Sequence, residues 1–302
     1  MKLLFSSQIE PAERWLPLLE RALPRDEFSV EPRADVDVAL VATPHPGIFG
    51  QLPKLKLVQS LWMGVEKLLE DPELPRDVPL ARLVDPGMVS AMSETVLAHV
   101  LDWHRHLYLY RKWQREKKWQ RRGESLSSDR TVGLLGLGEL GTDAARKLVA
   151  LGFKVCGWSR RAKRVAGVHC STDLDEILGM SDALVCLLPL TAQTRGVLNA
   201  AAFARLAKGG CLINVARGAH VVTADLLAAL DAGHLAHAYL DVFEPEPLPA
   251  HSPLWTHPGV TLTPHAAALT EPRTAVPKIV DNIERLRRGE APLHLVDRAA
   301  GY

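Results

Sequence analysis

The sequence predicts a two-domain α/β protein, and three observations support this fold class. The chain has 302 residues, more than one hydrophobic core usually serves. Short apolar runs alternate with helical stretches, the pattern of parallel sheets with helices packed on them. Residues Gly136–Gly141 read Gly-Leu-Gly-Glu-Leu-Gly between an apolar run and a helical stretch, which is typical of a dinucleotide-binding turn. We therefore expect two Rossmann-like domains with doubly wound parallel sheets.

The first domain is expected over residues 1–99, where four apolar runs predict strands and two amphipathic stretches predict helices. The predicted strands are Lys2–Phe5, Asp37–Val41, Leu55–Gln59 and Leu80–Val84. The predicted helices are Glu13–Leu23 and Val65–Glu70. A last helix, about Pro272–Arg288, is expected to return to this domain, which then comprises residues 1–99 and 269–302.

The second domain is expected over residues 100–268. One long helix from Ser90, with Ser90 as its cap, to about Lys118 is predicted to lead into it. The predicted strands are Thr131–Leu135, Lys154–Trp158, Ala183–Leu188, Cys211–Val215, Leu235–Leu240 and Val260–Leu262. The predicted helices are Leu140–Leu151, Leu174–Leu178, Ala200–Leu206 and Ala224–Ala232, the last capped by Thr223. Arg122–Asp129 is expected to be a loop between domains.

The second half of that long helix is basic and carries several aromatic residues, which allows two interpretations. Interleaved aromatics and cations are typical of a nucleic-acid surface. Alternatively, the helix joins two domains, with packed aromatics and solvated charges. The net charge of +1 favours the second interpretation and gives no reason to expect nucleic acid or an anionic membrane as partner.

Composition also bounds the cellular setting. No apolar run approaches the roughly 20 residues of a membrane span, and the apolar start Met1–Phe5 is too short for a signal peptide. Four cysteines lie far apart without metal-ligand spacing, and Cys156, Cys186 and Cys211 fall in apolar runs. Free thiols fit a reducing cytoplasm, with no disulfide and no metal site.

The glycine turn predicts a dinucleotide cofactor. Gly136 permits the tight turn, Gly138 lets the backbone approach a pyrophosphate, and Gly141 lets the following helix pack closely on the sheet. An NAD site usually places Asp or Glu about 20 residues further on. This strand instead ends in Ser159, Arg160 and Arg161. A hydroxyl and two cations suit a 2′-phosphate, so we expect NADPH rather than NADH. Alternatively, the cations Arg160, Arg161, Lys163 and Arg164 form an ordinary solvated loop.

Two further side chains follow predicted strands directly, where ligands bind in open α/β sheets. Arg217 follows Cys211–Val215, and its planar guanidinium suits a carboxylate and a keto oxygen together. His265 follows Val260–Leu262 beside small alanines, where an imidazole can give a proton to a forming alkoxide. A surface ion pair and an ordinary packed or exposed histidine are the alternatives.

A carboxylate is expected to orient this imidazole and favour its protonated form. Glu246 lies in a proline-stiffened loop, Pro245-Glu246-Pro247, and Glu244 is two residues away. Spacing alone does not decide between Glu246 and Glu244.

With these residues in view, nearly the whole chain resembles the D-2-hydroxyacid dehydrogenase family. The segments that carry the resemblance are Gly136–Gly141, Leu188–Thr194, Ile213–Gly218, Asp241–Pro249 and Thr263–Ala267. Three more segments are similar to the branch of that family that reduces glyoxylate and hydroxypyruvate: Trp158–Arg160, Ser252–Trp255 and Val296–Tyr302.

The resemblance implies an NADPH-dependent reductase of small 2-oxoacids with its active site in the cleft between two domains, the first of them flavodoxin-like and substrate-binding. It implies catalytic roles for Arg217, Glu246 and His265, with Glu246 rather than Glu244 as the partner of the histidine. The substrate is expected to meet Trp62, Met63, Gly64, Arg217 and His265. The cofactor is expected to meet Met92, Gly136, Gly138, Glu139, Leu140, Gly141, Ser159, Arg160, Arg161, Leu188, Pro189, Thr194, Val215, Ala216, Asp241 and Ala267. The family commonly forms dimers, so a homodimer is expected.

Three alternatives remain open at the level of sequence. The family's substrate loop often reads Gly-x-Gly-Val-Asp, whereas this chain has Trp62 in place of the first glycine. The ring either forms a wall of the substrate pocket or turns into the domain core. The substrate is then glyoxylate or hydroxypyruvate, or a bulkier 2-oxoacid. A nucleotide-sensing protein of the same fold, or an RNA-binding role for the basic helix, is the alternative to an enzyme.

Overall fold

The computed structural model describes residues 1–123 and 125–301. These divide into two compact units, Met1–Met88 with Leu269–Tyr302, and Val89–Ala268. Glu124 of the expected loop and Tyr302 of the C-terminal segment lie outside the described residues. No helix in the described part of the chain is long and apolar enough to cross a membrane.

The first unit is a parallel sheet in the order β2-β1-β3-β4-β5, the order typical of a flavodoxin-like sheet. Alternate residues of β1 enter different cores: Leu3 and Phe5 pack with the helices, and Leu4 packs on the other face. The strands are β1 (Lys2–Ser7), β2 (Glu27–Ser29), β3 (Val38–Ala42), β4 (Leu57–Ser60) and β5 (Leu80–Ala81). The helices are α1 (Ala12–Ala22), α2 (Glu66–Leu69) and, packed on this sheet through Ile279 and Ile283, α9 (Pro272–Arg287).

The second unit is a parallel sheet in the order β8-β7-β6-β9-β10-β11-β12, and the chain order reverses between β6 and β9. The strands are β6 (Thr131–Leu135), β7 (Lys154–Trp158), β8 (Val168–Ser171), β9 (Ala183–Cys186), β10 (Gly210–Asn214), β11 (Leu235–Leu240) and β12 (Val260–Leu262). The helices are α3 (Pro86–His104), which starts in the first unit, α4 (Leu107–Arg115), α5 (Glu139–Ala150), α6 (Leu174–Met180), α7 (Ala200–Arg205) and α8 (Thr223–Asp231). The predicted doubly wound α/β fold is confirmed.

The single helix expected over Ser90–Lys118 is wrong in two respects. Helix α3 begins at Pro86, where the side chain of Asp85 accepts hydrogen bonds from the N–H groups of Gly87 and Met88, both at 3.0 Å. Ser90 therefore lies inside the helix and does not cap it. The helix also ends at His104, because His106 adopts the left-handed conformation with φ 57° directly before α4.

The contact division between the units also falls earlier than the expected boundary at 99/100. Met92, Val96, Val100 and Trp103 are buried in the core of the second unit. The first turn of α3 therefore stays with the first sheet, and the rest of the helix packs in the second unit.

Two strands have no counterpart in the predicted set. They are β2 and β8, each at one edge of its sheet, and both carry polar and partly exposed residues. Thr223 is the first residue of α8 and makes no side-chain cap, so its expected capping role is wrong. The cysteines are free, with Cys156, Cys186 and Cys211 buried in strands as expected.

Candidate active site

The glycine turn lies at the carboxyl end of β6, where the strand order reverses. Gly136 has φ +100°, and a Cβ there would lie 2.8 Å from the carbonyl oxygen of Leu187. A Cβ on Gly141 would lie 1.9 Å from the carbonyl oxygen of Gly136, so the start of α5 rests directly on the turn. A Cβ on Gly138 would meet nothing within 4 Å. The backbone at Gly138 is therefore open, at the N-terminus of α5, where free N–H groups and the helix dipole attract phosphate.

The loop after β7 supplies the polar groups expected to read a 2′-phosphate. Ser159 is nearly buried, and its hydroxyl donates a hydrogen bond of 2.7 Å to the carbonyl oxygen of Arg161. Phosphate oxygens accept, so this hydroxyl must turn from the carbonyl oxygen of Arg161 to donate to a 2′-phosphate. The side chains of Arg160 and Arg161 are exposed. Lys163, which the sequence assigned only to the alternative of a solvated loop, reaches back and donates to the carbonyl oxygen of Leu137 at 2.6 Å.

His265 and Glu246 form a hydrogen-bonded pair. Nδ1 of His265 lies 2.8 Å from Oε2 of Glu246, and Oε1 of Glu246 accepts from the N–H of Phe243 at 2.8 Å. Glu244 instead binds the guanidinium of Arg195, with Nη1 at 2.9 and 3.0 Å from its two oxygens. The geometry therefore selects Glu246 over Glu244 as the partner of the imidazole.

The loop that carries His265 is anchored by Asp241, a buried carboxylate at the end of β11. One oxygen of Asp241 accepts from the hydroxyl of Thr263 at 2.6 Å and from the N–H of Ala266 at 2.8 Å, and the other accepts from the N–H of Ala267 at 3.0 Å. The N–H of His265 donates to the carbonyl oxygen of Asp241 at 2.7 Å. Asp241 was expected to meet the cofactor; sequence reasoning missed that it also fixes the loop of the imidazole.

Arg217 follows β10, the neighbour of β11 in the sheet. The amide of Asn214, the last residue of β10, donates to the carbonyl oxygen of Arg217 at 2.9 Å and accepts from the N–H of Ala216 at 3.2 Å. The guanidinium donates to the carbonyl oxygen of Ala216 at 2.7 Å, and the side chain is half-buried. A Cβ on Gly218 would lie 2.0 Å from the carbonyl carbon of Phe243, which brings this turn against the loop of Glu246. Since β10, β11 and β12 are adjacent, Arg217, Asp241 and His265 all follow the carboxyl edge of one sheet.

The remaining expected cofactor residues of this unit lie at the same edge or in the core behind it. The hydroxyl of Thr194 donates to the carbonyl oxygen of Pro189 at 2.8 Å and so closes the turn after β9. The hydroxyl of Thr95, missed in the sequence, donates to the carbonyl oxygen of Ala267 at 2.7 Å. Side chains that are buried here include Met92, Leu188, Val215, Ala216 and Ala267, whereas Glu139 and Leu140 begin helix α5.

The expected substrate loop, Trp62 to Gly64, belongs to the first unit. The indole N–H of Trp62 donates to Oε1 of Glu10 at 3.0 Å, and its backbone N–H donates to the hydroxyl of Ser60 at 3.0 Å. The ring is half-buried and packs against the core beside α9. Of the two readings of Trp62, these contacts favour the ring that turns toward the domain core. Met63 and Gly64 follow it and are half-buried.

Several known proteins are similar to this chain in sequence and in fold. Residues 97–267 match the family model described as "D-isomer specific 2-hydroxyacid dehydrogenase, NAD binding domain". The chain is 41% identical, over the whole of both chains, to glyoxylate/hydroxypyruvate reductase A of Serratia proteamaculans. It is 42% identical to a D-isomer specific 2-hydroxyacid dehydrogenase from Xanthobacter autotrophicus solved with NADPH and MES, with a TM-score of 0.96 and coverage of 100% and 99%. It is 39% identical to the NADPH-dependent glyoxylate/hydroxypyruvate reductase of Sinorhizobium meliloti solved with NADP and sulfate, with a TM-score of 0.94 and the same coverage.

Proposed function

Because the chain belongs to the D-isomer specific 2-hydroxyacid dehydrogenase family, we propose that it reduces glyoxylate to glycolate and hydroxypyruvate to D-glycerate with NADPH. The protein is an NADP-dependent oxidoreductase, as its relatives are. The single observation that carries the proposed chemistry is the His265–Glu246 pair, at 2.8 Å, on the sheet edge that also holds Arg217 and the glycine turn.

When bound, NADPH supplies the hydride that reaches the keto carbon of the substrate. His265 would supply the proton that the carbonyl oxygen needs, so that a 2-oxoacid, NADPH and a proton give a 2-hydroxyacid and NADP⁺. Nδ1 of the ring faces Glu246, which leaves Nε2 for the substrate. The carboxylate of Glu246 stabilises the imidazolium before the proton is transferred, and the N–H of Phe243 keeps that carboxylate in place.

The polar ends of the substrate and cofactor need cations and N–H groups. We assign the substrate carboxylate and keto oxygen to the guanidinium of Arg217, whose donors form a planar fork. We further assign the carboxylate to the backbone N–H groups of Met63 and Gly64. Ser159 with Arg160 and Arg161 would hold the 2′-phosphate, and no carboxylate in the described loop 158–164 opposes it.

The test is the loss of NADPH absorbance, with NADH in parallel, on adding glyoxylate or hydroxypyruvate to the purified protein. We expect faster oxidation of NADPH. His265→Ala should lower kcat by about a hundredfold or more with the NADPH dissociation constant nearly unchanged. The matched control is His169→Ala, because His169 also pairs with a carboxylate, Glu176, at 2.7 Å and is similarly exposed. That control should retain its turnover.

Two outcomes would contradict the proposal. Equal losses of turnover and cofactor affinity in the His265 variant would remove its role as proton donor. A folded protein that binds NADPH and oxidises it with neither acid would move the assignment to a bulkier 2-oxoacid, or to nucleotide sensing without turnover.

We also propose that the enzyme is a cytoplasmic homodimer. The resemblance to the family supports the dimer, and the free cysteines support a reducing compartment. Light scattering coupled to gel filtration measures the mass of the assembly, and the mass of a monomer would refute the dimer.

A further inference from the structure

A buried histidine connects the two polar turns of the second unit. His220 has no exposed surface and lies in the short helical turn Gly218–His220, directly after Arg217. Its Nδ1 lies 3.3 Å from the backbone nitrogen of Arg217, and its Nε2 lies 3.3 Å from the carbonyl oxygen of Pro189. One ring therefore touches the turn after β9 and the turn after β10.

The hydrogen bonds fix which ring nitrogen carries the proton. Nδ1 of His220 also lies 3.1 Å from the carbonyl oxygen of Arg217. That oxygen already accepts from the amide of Asn214 and from the N–H of His220, which use its two lone pairs. Nδ1 therefore accepts from the N–H of Arg217, and a neutral ring that accepts at Nδ1 has its proton on Nε2. The Nε2–H group then donates to the carbonyl oxygen of Pro189, because a carbonyl oxygen can only accept. Both nitrogens of a fully buried ring are thereby satisfied, which a buried polar group requires.

The turn at Pro189 belongs to the cofactor side of the unit. It follows β9, the strand next to β6 at the reversal of the strand order, where ligands bind in such sheets. The carbonyl oxygen of Leu187, just before it, is the atom that a Cβ on Gly136 would meet at 2.8 Å. The turn at Pro189 therefore lies against the glycine turn.

The turn at Arg217 belongs to the substrate side. Its backbone is held by the amide of Asn214 as well as by His220, whose own N–H donates to the carbonyl oxygen of Arg217 at 3.3 Å. The direction of the guanidinium depends on this backbone, and the direction of a guanidinium decides whether it can grip a carboxylate with two parallel hydrogen bonds.

We propose that His220 is a positioning residue that sets the cofactor turn at Pro189 with Nε2 and the substrate-binding backbone of Arg217 with Nδ1. The inference rests on the proposed function and deepens it, because it names a group that touches neither reactant and yet sets the affinity for both.

Two substitutions separate the two hydrogen bonds. His220→Asn places an amide where Nδ1 was, so it keeps an acceptor for the N–H of Arg217 and loses the bond to Pro189. His220→Gln places an amide where Nε2 was, so it keeps the donor to Pro189 and loses the acceptor for Arg217. We expect the Asn variant to raise the NADPH dissociation constant about three- to tenfold with the KM for glyoxylate nearly unchanged, and the Gln variant to do the reverse.

The NADPH dissociation constant is measured by titration calorimetry without substrate, and the KM for glyoxylate at saturating NADPH. The matched control is His234→Gln, because His234 also places Nε2 against a backbone carbonyl, that of Phe203 at 2.8 Å, but lies just before β11, at the amino edge of the sheet. This control should leave both constants unchanged. If both His220 variants shift the two constants equally, or shift neither, the ring only fills space and the proposal is wrong.

A measurement on the unaltered protein protects the test against variants that do not fold. Ring-nitrogen NMR of His220 should show a protonated Nε2 and an unprotonated Nδ1, and the opposite tautomer would overturn the proposal. Cofactor binding also separates this inference from the proposed function. If glyoxylate and hydroxypyruvate are not reduced, the Asn variant must still bind NADPH more weakly than the Gln variant does, and equal binding would refute the role of His220 alone.

Discussion

Mild acid should destabilise the protein through His237, a histidine of β11 that is only 3% exposed. Its Nε2 lies 2.8 Å from the hydroxyl of Thr261, its ring packs between Tyr108 and Tyr239, and its Nδ1 is buried without a hydrogen-bond partner in the described chain. The pKa of His237 is lowered from 6.5 to about 4, chiefly by burial; Asp102 opposes this shift, and the nearby Arg111, His257 and His99 contribute to it.

The sign and size of the effect follow from these two pKa values. Below pH 6.5 the unfolded chain takes up a proton at this residue that the folded protein refuses until about pH 4. Stability is therefore complete above pH 6.5 and falls as the pH drops toward 4. At about 1.4 kcal/mol per pH unit, the whole loss is about 3 kcal/mol, of which about 2 kcal/mol is reached at pH 5.

The assay is urea unfolding at pH 7.5 and pH 5, followed by circular dichroism, for the natural protein and for His237→Gln. Gln keeps a donor for the hydroxyl of Thr261 and cannot be protonated. Other groups titrate alike in both proteins, so the natural protein should lose about 2 kcal/mol more than the variant between the two pH values. Equal losses would show that burial does not exclude the proton from His237, and so would a pKa near 6.5 in an NMR titration of its ring.

Three further predictions concern the candidate site. Gly141→Ala should lower the melting temperature, because its Cβ would lie 1.9 Å from a backbone oxygen, and an unchanged melting temperature would contradict this. Gly138→Ala, whose Cβ meets nothing within 4 Å, should fold normally and bind NADPH at least about tenfold more weakly, and unchanged NADPH binding would contradict this. Glu246→Gln should lower kcat by about a hundredfold, because it removes the carboxylate that pairs with His265. Glu244→Gln breaks an exposed ion pair and should change kcat by no more than about twofold. Similar losses of kcat in both variants would refute the assignment of Glu246 as the partner of His265. Ser159→Asp should lower the kcat/KM ratio of NADPH over NADH at least about tenfold, because a carboxylate suits the ribose hydroxyls and repels a 2′-phosphate, and an unchanged ratio would refute the assignment.

Most strands of both sheets could be predicted, because parallel strands are commonly buried on both faces and then read as apolar runs. Cys156, Cys186 and Cys211 were correctly expected in such runs. The edge strands β2 and β8 escaped prediction because their residues are polar and partly exposed and give no apolar run. The edge strands β5 and β12 lie in apolar runs and were predicted.

The ends of helices were harder to predict. The helix breaks at His106 without a glycine or proline nearby, and sequence periodicity does not record a left-handed histidine. Asp85 caps α3 and directly precedes Pro86. An aspartate cap followed by a proline in the first turn is a known start pattern of helices, so this helix start could have been predicted. Ser90 was expected to cap the helix because serine is a favoured cap residue, but it lies inside α3.

The members of the candidate site could be proposed from strand ends, but their partners could not. Glu244 and Glu246 are equivalent in spacing, and the difference between them is made by Arg195, which is distant in sequence and binds Glu244. The sequence did not predict the roles of Glu10, His220 and Thr95. Each forms a hydrogen bond with an atom that comes within reach only in the folded chain.

The loop of His265 has a consequence for the rate of the proposed reaction. His265 adopts φ 53°, and the segment around it is tied to the buried Asp241 by four hydrogen bonds, from Thr263, from Ala266, from Ala267 and from its own N–H. The rotational freedom of this segment is therefore lost once, when the polypeptide folds, and not again at every turnover. A proton donor held in this way meets each incoming ketone at the same angle, and Asp241, which would never touch that ketone, determines the angle.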